Sequence, residues 1–372
     1  MLTRRRLLSS ALSLATALPL TRGASAAAVT PAAGARRPLL RGALYWYDPS
    51  LSVDQWRDEL ETQRKIGFDL LWLCGTRQAS EGALKQFEEL VRLCERRRVK
   101  LLVDCGSTGD WYTTLDLKNE KSVITRHVER LAPILTDSPA LFGWYVPQEI
   151  YFCSGPMQEY ITGLYPFAVE TCRKVSPGCR VTVSPFFILD RTKTFGDFTV
   201  PSPDQYARYW ERLIRRAGFD IVMLQDSGEH FAWVTDTQRR PYFAAMRRAC
   251  DRAGAKLWGN VECAEMNYAS IEDYIAVNGR VHHAVAKEPR WRPVPMPRFE
   301  SKLRLAAEFC EAFVTWGYRE FCRPAVGEAT RDWYEAYRAY RDACLTRRSA
   351  TARDAAPRDA APRDAAPRDA AR

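Results

Sequence analysis

Short apolar runs alternate with helix-like segments for most of the chain, and this alternation constrains the fold more than any other feature. Eight runs read as strands: Ala43–Tyr47, Asp69–Cys74, Lys100–Cys105, Leu141–Val146, Arg180–Phe186, Asp220–Gln225, Lys256–Val261 and Phe313–Tyr318. They are rich in Val, Leu, Trp and Tyr, and several follow a glycine placed to stop a helix, such as Gly67, Gly178, Gly218 and Gly254. The segments between them carry a helical period. Leu84, Phe87, Val91 and Cys94 share one face, as do Trp333, Tyr337, Tyr340 and Cys344. Ser52, Ser122 and Ser202 or Asp204 sit near helix starts and are expected to cap them. Strand-to-helix alternation repeated eight times predicts a closed parallel (β/α)8 barrel, an α/β fold in a single domain.

The competing architecture, an open doubly wound sheet, places a glycine-rich phosphate loop after its first strand. Here that strand runs into Tyr47-Asp48-Pro49-Ser50, which contains no glycine. The stretch from Cys263 to Pro297 is proline-rich late and is expected to form a substantial loop over the top face.

Both ends differ from the middle. Arg4-Arg5-Arg6, an apolar stretch from Ala11 to Leu20 and Ala24-Ser25-Ala26 form the basic, apolar and small-residue parts of an export signal over 1–26. The paired arginines point to twin-arginine export, so the mature chain is expected to be periplasmic or extracellular. A linker is expected over 27–40, the barrel over 41–347 and a disordered tail over 348–372. From Arg353 that tail repeats Arg-Asp-Ala-Ala-Pro three times. Its prolines interrupt a helix, and no side chain there is larger and apolar enough to bury.

Composition excludes several classes of function. The formal net charge is +10, of which four charges belong to Arg4, Arg5, Arg6 and Arg22 in the signal. The remaining excess is spread out, with no basic stripe interleaved with aromatics, so no nucleic-acid partner is expected. No later segment reaches the length of apolar chain, about 18 residues, that a membrane span needs, so stable membrane insertion of the mature chain is not expected. The 11 cysteines include no CxxC pair and are read as buried thiols, with a Cys172–Cys179 pairing left open. His127, His230, His282 and His283 form no HExxH or HxH, and neither GxSxG nor GxxxxGK[ST] occurs. No metal or cofactor is expected.

Catalytic groups in such barrels lie at the C-terminal ends of the strands. Those ends offer Tyr47, Asp104, Trp144, Tyr145, Gln148, Glu149, Gln225, Asp226, Asn260, Glu262 and Trp316. Glycosidic cleavage needs two carboxyl groups, one to protonate the leaving oxygen and one to act as nucleophile or as base to water. Glu149 and Glu262, after the fourth and seventh strands, meet that requirement. Asp226 is a third carboxylate for the same work or a turn residue before Gly228. Gln148 and Asn260 are read as amides for sugar hydroxyls, Tyr47 and Tyr145 as donors to a carboxylate, and Trp316 as a sugar platform. Core packing remains open for each aromatic.

The segment Phe142-Gly143-Trp144-Tyr145-Val146-Pro147-Gln148-Glu149-Ile150 resembles the Gly-Trp-Tyr-x-Pro-x-Glu segment of a bacterial domain family of unknown function grouped with the TIM-barrel glycoside hydrolases. Three further segments are similar in order and placement: Val222–Asp226, Leu257–Glu262 and Trp316-Gly317-Tyr318. The resemblance spans roughly residues 40–345. Together with the export signal, it implies an exported glycoside hydrolase of a polysaccharide or oligosaccharide. By analogy with retaining relatives, Glu149 is implied as acid/base and Glu262 as nucleophile. Gln148 stands where that wider group carries asparagine. The alternative is a non-catalytic carbohydrate-binding protein on the same barrel.

Overall fold

Strands buried on both faces need helices outside and side chains within, and that is how the apolar runs are used. The computed structural model describes residues 38–354, apart from 79–80, 197, 228–231 and 282–284. Its strands are β1 (Leu40–Trp46), β2 (Leu70–Cys74), β3 (Lys100–Asp104), β4 (Leu141–Val146), β5 (Arg180–Val183), β6 (Ile221–Gln225), β7 (Lys256–Asn260), β8 (Ala264–Met266), β9 (Trp291–Pro293) and β10 (Ala312–Thr315). Eight of them close a barrel in the order β1-β10-β7-β6-β5-β4-β3-β2, every pair parallel. The helices are α1 (Val53–Lys65), α2 (Glu81–Arg97), α3 (Trp111–Thr114), α4 (Leu117–Leu135), α5 (Gly155–Val175), α6 (Pro203–Ala217), α7 (Asp236–Ala253), α8 (Ile271–Asn278), α9 (Met296–Ala307), α10 (Tyr318–Phe321) and α11 (Glu328–Asp354). The fold is a single-domain (β/α)8 barrel.

Alternation along each strand divides the apolar residues between two cores. Leu71, Leu73, Val103, Val181, Val222 and Leu224 face the helices. Leu44, Trp72, Leu102, Tyr145, Met223 and Val314 fill the barrel. At the N-terminal end the rings of Phe142 and Trp258 lie 5.4 Å apart. The Arg41 and Arg180 guanidinium groups cover Phe142 at 5.5 and 4.8 Å, and Arg41 also covers Trp258 at 5.3 Å. This plug packs the lower barrel with rings and cations. The C-terminal face is left to carry the chemistry.

Local signals set the helix ends. Ser52, Ser202 and Thr235 each make a capping box with the glutamine three residues on. Gly218 and Gly254 end α6 and α7 in the left-handed region, each at φ 77°. Ser122 is no cap. It lies inside α4, which Asp116 begins by accepting the Asn119 N–H at 3.0 Å.

The stretch from Cys263 to Pro297 is more ordered than a loop. It holds the antiparallel strand pair β8–β9 and, in the connection between those strands, helix α8. Its residues join the loops after β5 and β6 in a third apolar cluster of Ile188, Phe195, Val234, Met266, Tyr268 and Tyr274. No disulfide joins any of the eleven cysteines. Cys172 lies within hydrogen-bonding reach of Cys105 and also sits near Cys179. Helix α11 runs to Asp354, beyond the boundary expected at 347, because Ser349–Asp354 contains neither proline nor glycine. The signal segment, most of the linker and the repeat from 355 onward lie outside the described residues, as do His230, His282 and His283.

Candidate active site

Side chains of one parity point into the barrel, and at the C-terminal end these are Trp46, Cys74, Asp104, Tyr145, Gln225 and Asn260, with Trp316 just beyond β10. Tyr47 and Trp144 have the opposite parity. Tyr47 stacks on Trp56 at 6.1 Å and meets Phe87 edge-on at 5.6 Å, between the sheet and the helices. Burial pushes its hydroxyl up to about 12. Trp144 donates its Nε1–H to Ser176 Oγ at 3.2 Å at the end of α5. Neither ring reaches the mouth of the barrel.

Tyr145 does. Its ring meets Trp72 edge-on at 4.8 Å, and its hydroxyl donates a hydrogen bond to Glu149. Glu149 is half-buried and lies in a segment fixed by protein contacts on both sides. Tyr165 Oη donates to the Gln148 carbonyl at 2.7 Å, and the Phe186 N–H to the Ile150 carbonyl at 3.1 Å. The Gln148 side chain is fully buried. Its Nε2 donates to the Gly106 carbonyl at 3.2 Å and to Glu120 Oε1 at 2.6 Å. Glu120, also fully buried, accepts the Thr108 N–H as well. The amide hydrogens of Gln148 are thus spent on the loop after β3 and on α4.

Asp104 is likewise engaged within the protein. Its carboxylate accepts the Gly75 N–H at 2.7 Å, the Thr76 N–H at 3.3 Å and the Thr76 hydroxyl. His127 Nε2 lies 2.9 Å from Thr76 Oγ1 and 3.7 Å from Asp104. These contacts tie the loop after β2 to β3 and α4.

On the opposite wall, Asn260 Nδ2 donates to Ser184 Oγ at 3.1 Å, and Gln225 Nε2 to the Ser184 carbonyl at 2.7 Å. The register places Gln225 beside Asn260. Glu262, two residues past β7, is 1% exposed, and Asp226, just past β6, is also 1% exposed. Lys302 of α9 is buried between them. Its ammonium lies 3.1 Å from Asp226 Oδ2 and donates to the Glu262 carbonyl at 2.5 Å. Arg239 of α7, buried too, donates to the Asp226 carbonyl at 2.9 Å. Burial lowers the pKa of Arg239, and Asp226, Asp236 and Glu262 oppose that. Arg239 also lies 3.6 Å from Asp236 Oδ1, so the two buried cations face three carboxylates, Asp226, Asp236 and Glu262. Ser227, which follows Asp226, has φ 54°, and its hydroxyl donates to the Phe187 carbonyl.

Aromatic residues flank this wall. Trp316 lies 6.4 Å from Trp291 of β9 and 6.1 Å from Phe321. Trp46 is half-buried against the same inner cluster. Among the described residues no group of histidine, cysteine, aspartate or glutamate could hold a metal ion. Sequence reasoning missed Trp46, Trp291 and Lys302. The parity of β1 was a usable signal for Trp46, since Leu44 is apolar and inward. Trp291 and Lys302 come from the connection between β7 and β10, where only tertiary structure tells which residues return to the mouth.

Residues 45–327 match a domain of unknown function, DUF4434. None of the curated proteins matches the chain. Among solved structures, a putative alpha-L-fucosidase from Bacteroides thetaiotaomicron VPI-5482 is similar at a TM-score of 0.66 and 15% identity, covering 87% of this chain and 99% of that one. The beta-galactosidase from the psychrophilic Marinomonas ef1 reaches 0.54 at 11% identity, covering 84% and 60%. GH5_18 from Streptomyces cattleya, in complex with GlcNAc, reaches 0.50 at 15% identity, covering 88% and 83%. At such identities the agreement is one of fold.

Proposed function

This chain belongs to the DUF4434 family, on a frame shared with TIM-barrel glycoside hydrolases, and from that premise we propose that it is an exported glycoside hydrolase acting on a polysaccharide or oligosaccharide. The observation that carries the reading is the unlike setting of two glutamates past the C-terminal ends of β4 and β7. Glu149 is half-buried and hydrogen-bonded by Tyr145. Glu262 is buried in a region that holds two cations, Arg239 and Lys302.

Those settings suit different tasks. A buried carboxyl held near two cations suits the nucleophile, and a partly exposed carboxyl suits proton exchange with leaving group and water. In the retaining sequence Glu262 attacks the anomeric carbon as Glu149 protonates the departing oxygen. Glu149 then takes a proton from water, whose oxygen displaces Glu262. Trp46, Trp291 and Trp316 supply faces for sugar C–H surfaces, while Gln225 and Asn260, both bonded to Ser184, tie the ends of β5, β6 and β7 together. The names of the structural neighbours, which include a fucosidase and a beta-galactosidase, agree with a carbohydrate ligand. No helix among the described residues is long and apolar enough to cross a membrane.

The test is a screen of the mature protein against polysaccharides, oligosaccharides and aryl glycosides, read by reducing ends and product anomer. Glu262→Gln should abolish turnover of every substrate. Glu149→Gln should slow unactivated substrates by about 10²–10⁴-fold and spare the first step for activated leaving groups. Near-native activity in both variants would retire the pair. The alternative is a carbohydrate-binding protein that does not cleave; the Gln148 amide hydrogens, committed to Gly106 and Glu120, contact the sugar in neither reading. Calorimetric binding of an oligosaccharide that is never cleaved would establish that alternative.

A further inference from the structure

Residues past the end of a strand lose the ladder that fixes their backbone, so a reactive side chain there needs another means of being aimed. Glu262 lies two residues beyond β7. Its N–H points to Asp226 Oδ1 at 3.5 Å, and its carbonyl accepts from Lys302 Nζ at 2.5 Å. Lys302 also lies 3.1 Å from the other oxygen of Asp226, and both side chains are 2% exposed. The backbone of Glu262 is thus held on both sides by the two members of one buried ion pair, one from the end of β6 and one from α9.

We propose that Asp226 and Lys302 are positioning residues that clamp the peptide groups on either side of Glu262 and so aim its carboxylate into the barrel mouth. The proposal rests on the reading of Glu262 as nucleophile. A buried ion pair is a costly way to stabilise a fold, because desolvating both charges offsets most of their attraction. It is an effective way to hold geometry, since each charge has donors or acceptors fixed by separate elements. Lysine suits the task because one ammonium presents three donors and can serve a carboxylate and a carbonyl together.

The experiment compares the mature wild-type protein with Lys302→Met and with Lys302→Met/Asp226→Asn. Lys302→Met leaves the Asp226 charge buried without its ammonium, so its melting temperature should fall. The double variant removes both charges and should recover much of that loss. Turnover should not recover with it. On the best substrate from the screen, kcat of the double variant should stay at least about tenfold below wild type, with KM within about threefold. Recovery of kcat together with melting temperature would show that the pair only balances charge, and would overturn the proposal. Amide hydrogen exchange of peptides covering 258–263 reads the clamp without substrate. Exchange there should accelerate in the double variant while that of β2 and β3 stays as in wild type. Unchanged exchange overturns the clamp whether or not a substrate exists. Accelerated exchange in a protein whose wild type cleaves nothing would retire the hydrolase reading and leave the clamp standing.

Discussion

Trp46 and Tyr47 are neighbours in the chain and finish on opposite faces of β1, one toward the barrel mouth and one toward α1 and α2. Trp144 and Tyr145 divide in the same way on β4. Trp144→Ala should therefore destabilise the fold by about 3–5 kcal/mol, the cost of emptying a core indole site, as measured by urea unfolding. Trp46→Ala should cost about 1 kcal/mol or less and instead raise KM, or the Kd for oligosaccharide, several-fold. Unaltered sugar affinity in Trp46→Ala would remove that ring from the binding surface. The positions of Glu149 and Glu262 past β4 and β7 were legible from the chain because each follows an apolar run that ends abruptly. The faces of Tyr47 and Trp144 were not read, since the inward parity of a strand is set by register with its neighbours. On β4 that register shifts between Leu101 and Leu102, where the partner steps from Leu141 to Gly143. The shift lets Phe142 and Tyr145, three residues apart, both meet the inner core.

Two glycines show how differently elements depend on the same residue. Gly143 lies where β4 passes β5, and a β-carbon there would overlap the backbone carbonyl of Arg180. Gly143→Ala must push the two strands apart and should prevent folding or lower the melting temperature severely, as read by calorimetry. Gly254 has no atom within 4 Å of a built β-carbon, and its only demand is φ 77° at the end of α7. Gly254→Ala should cost only about 1 kcal/mol, the strain of a left-handed alanine. Equal losses in the two variants would contradict this account. Strands and helices with strong periodicity were recognisable from the chain alone. The strand pair β8–β9 was not, because each strand has three residues, with helix α8 between them and no local alternation to reveal it. It is held by tertiary contacts, chiefly the buried Glu265, which pairs with Arg292 at 2.7 Å and Arg298 at 3.1 Å.

For the molecule as a whole, the eleven cysteines without a disulfide, nine of them buried, suit folding in a reducing compartment, in keeping with the proposed twin-arginine export. Twin-arginine transport moves chains already folded. Replacing Arg5 and Arg6 together by lysine should leave the precursor in the cytoplasm, as judged by cell fractionation. Normal export of that variant would favour the general secretory route. The barrel closure was legible because eight alternations leave few other solutions, whereas the apolar cluster above it was not. That cluster draws on the loops after β5, β6 and β7 and meets the barrel cores at Tyr151, Leu189 and Trp291. Substitutions in those loops would therefore reshape the canopy over the mouth while the staves keep their ladder, leaving only the residues at the stave tips to serve both the barrel and its ligand.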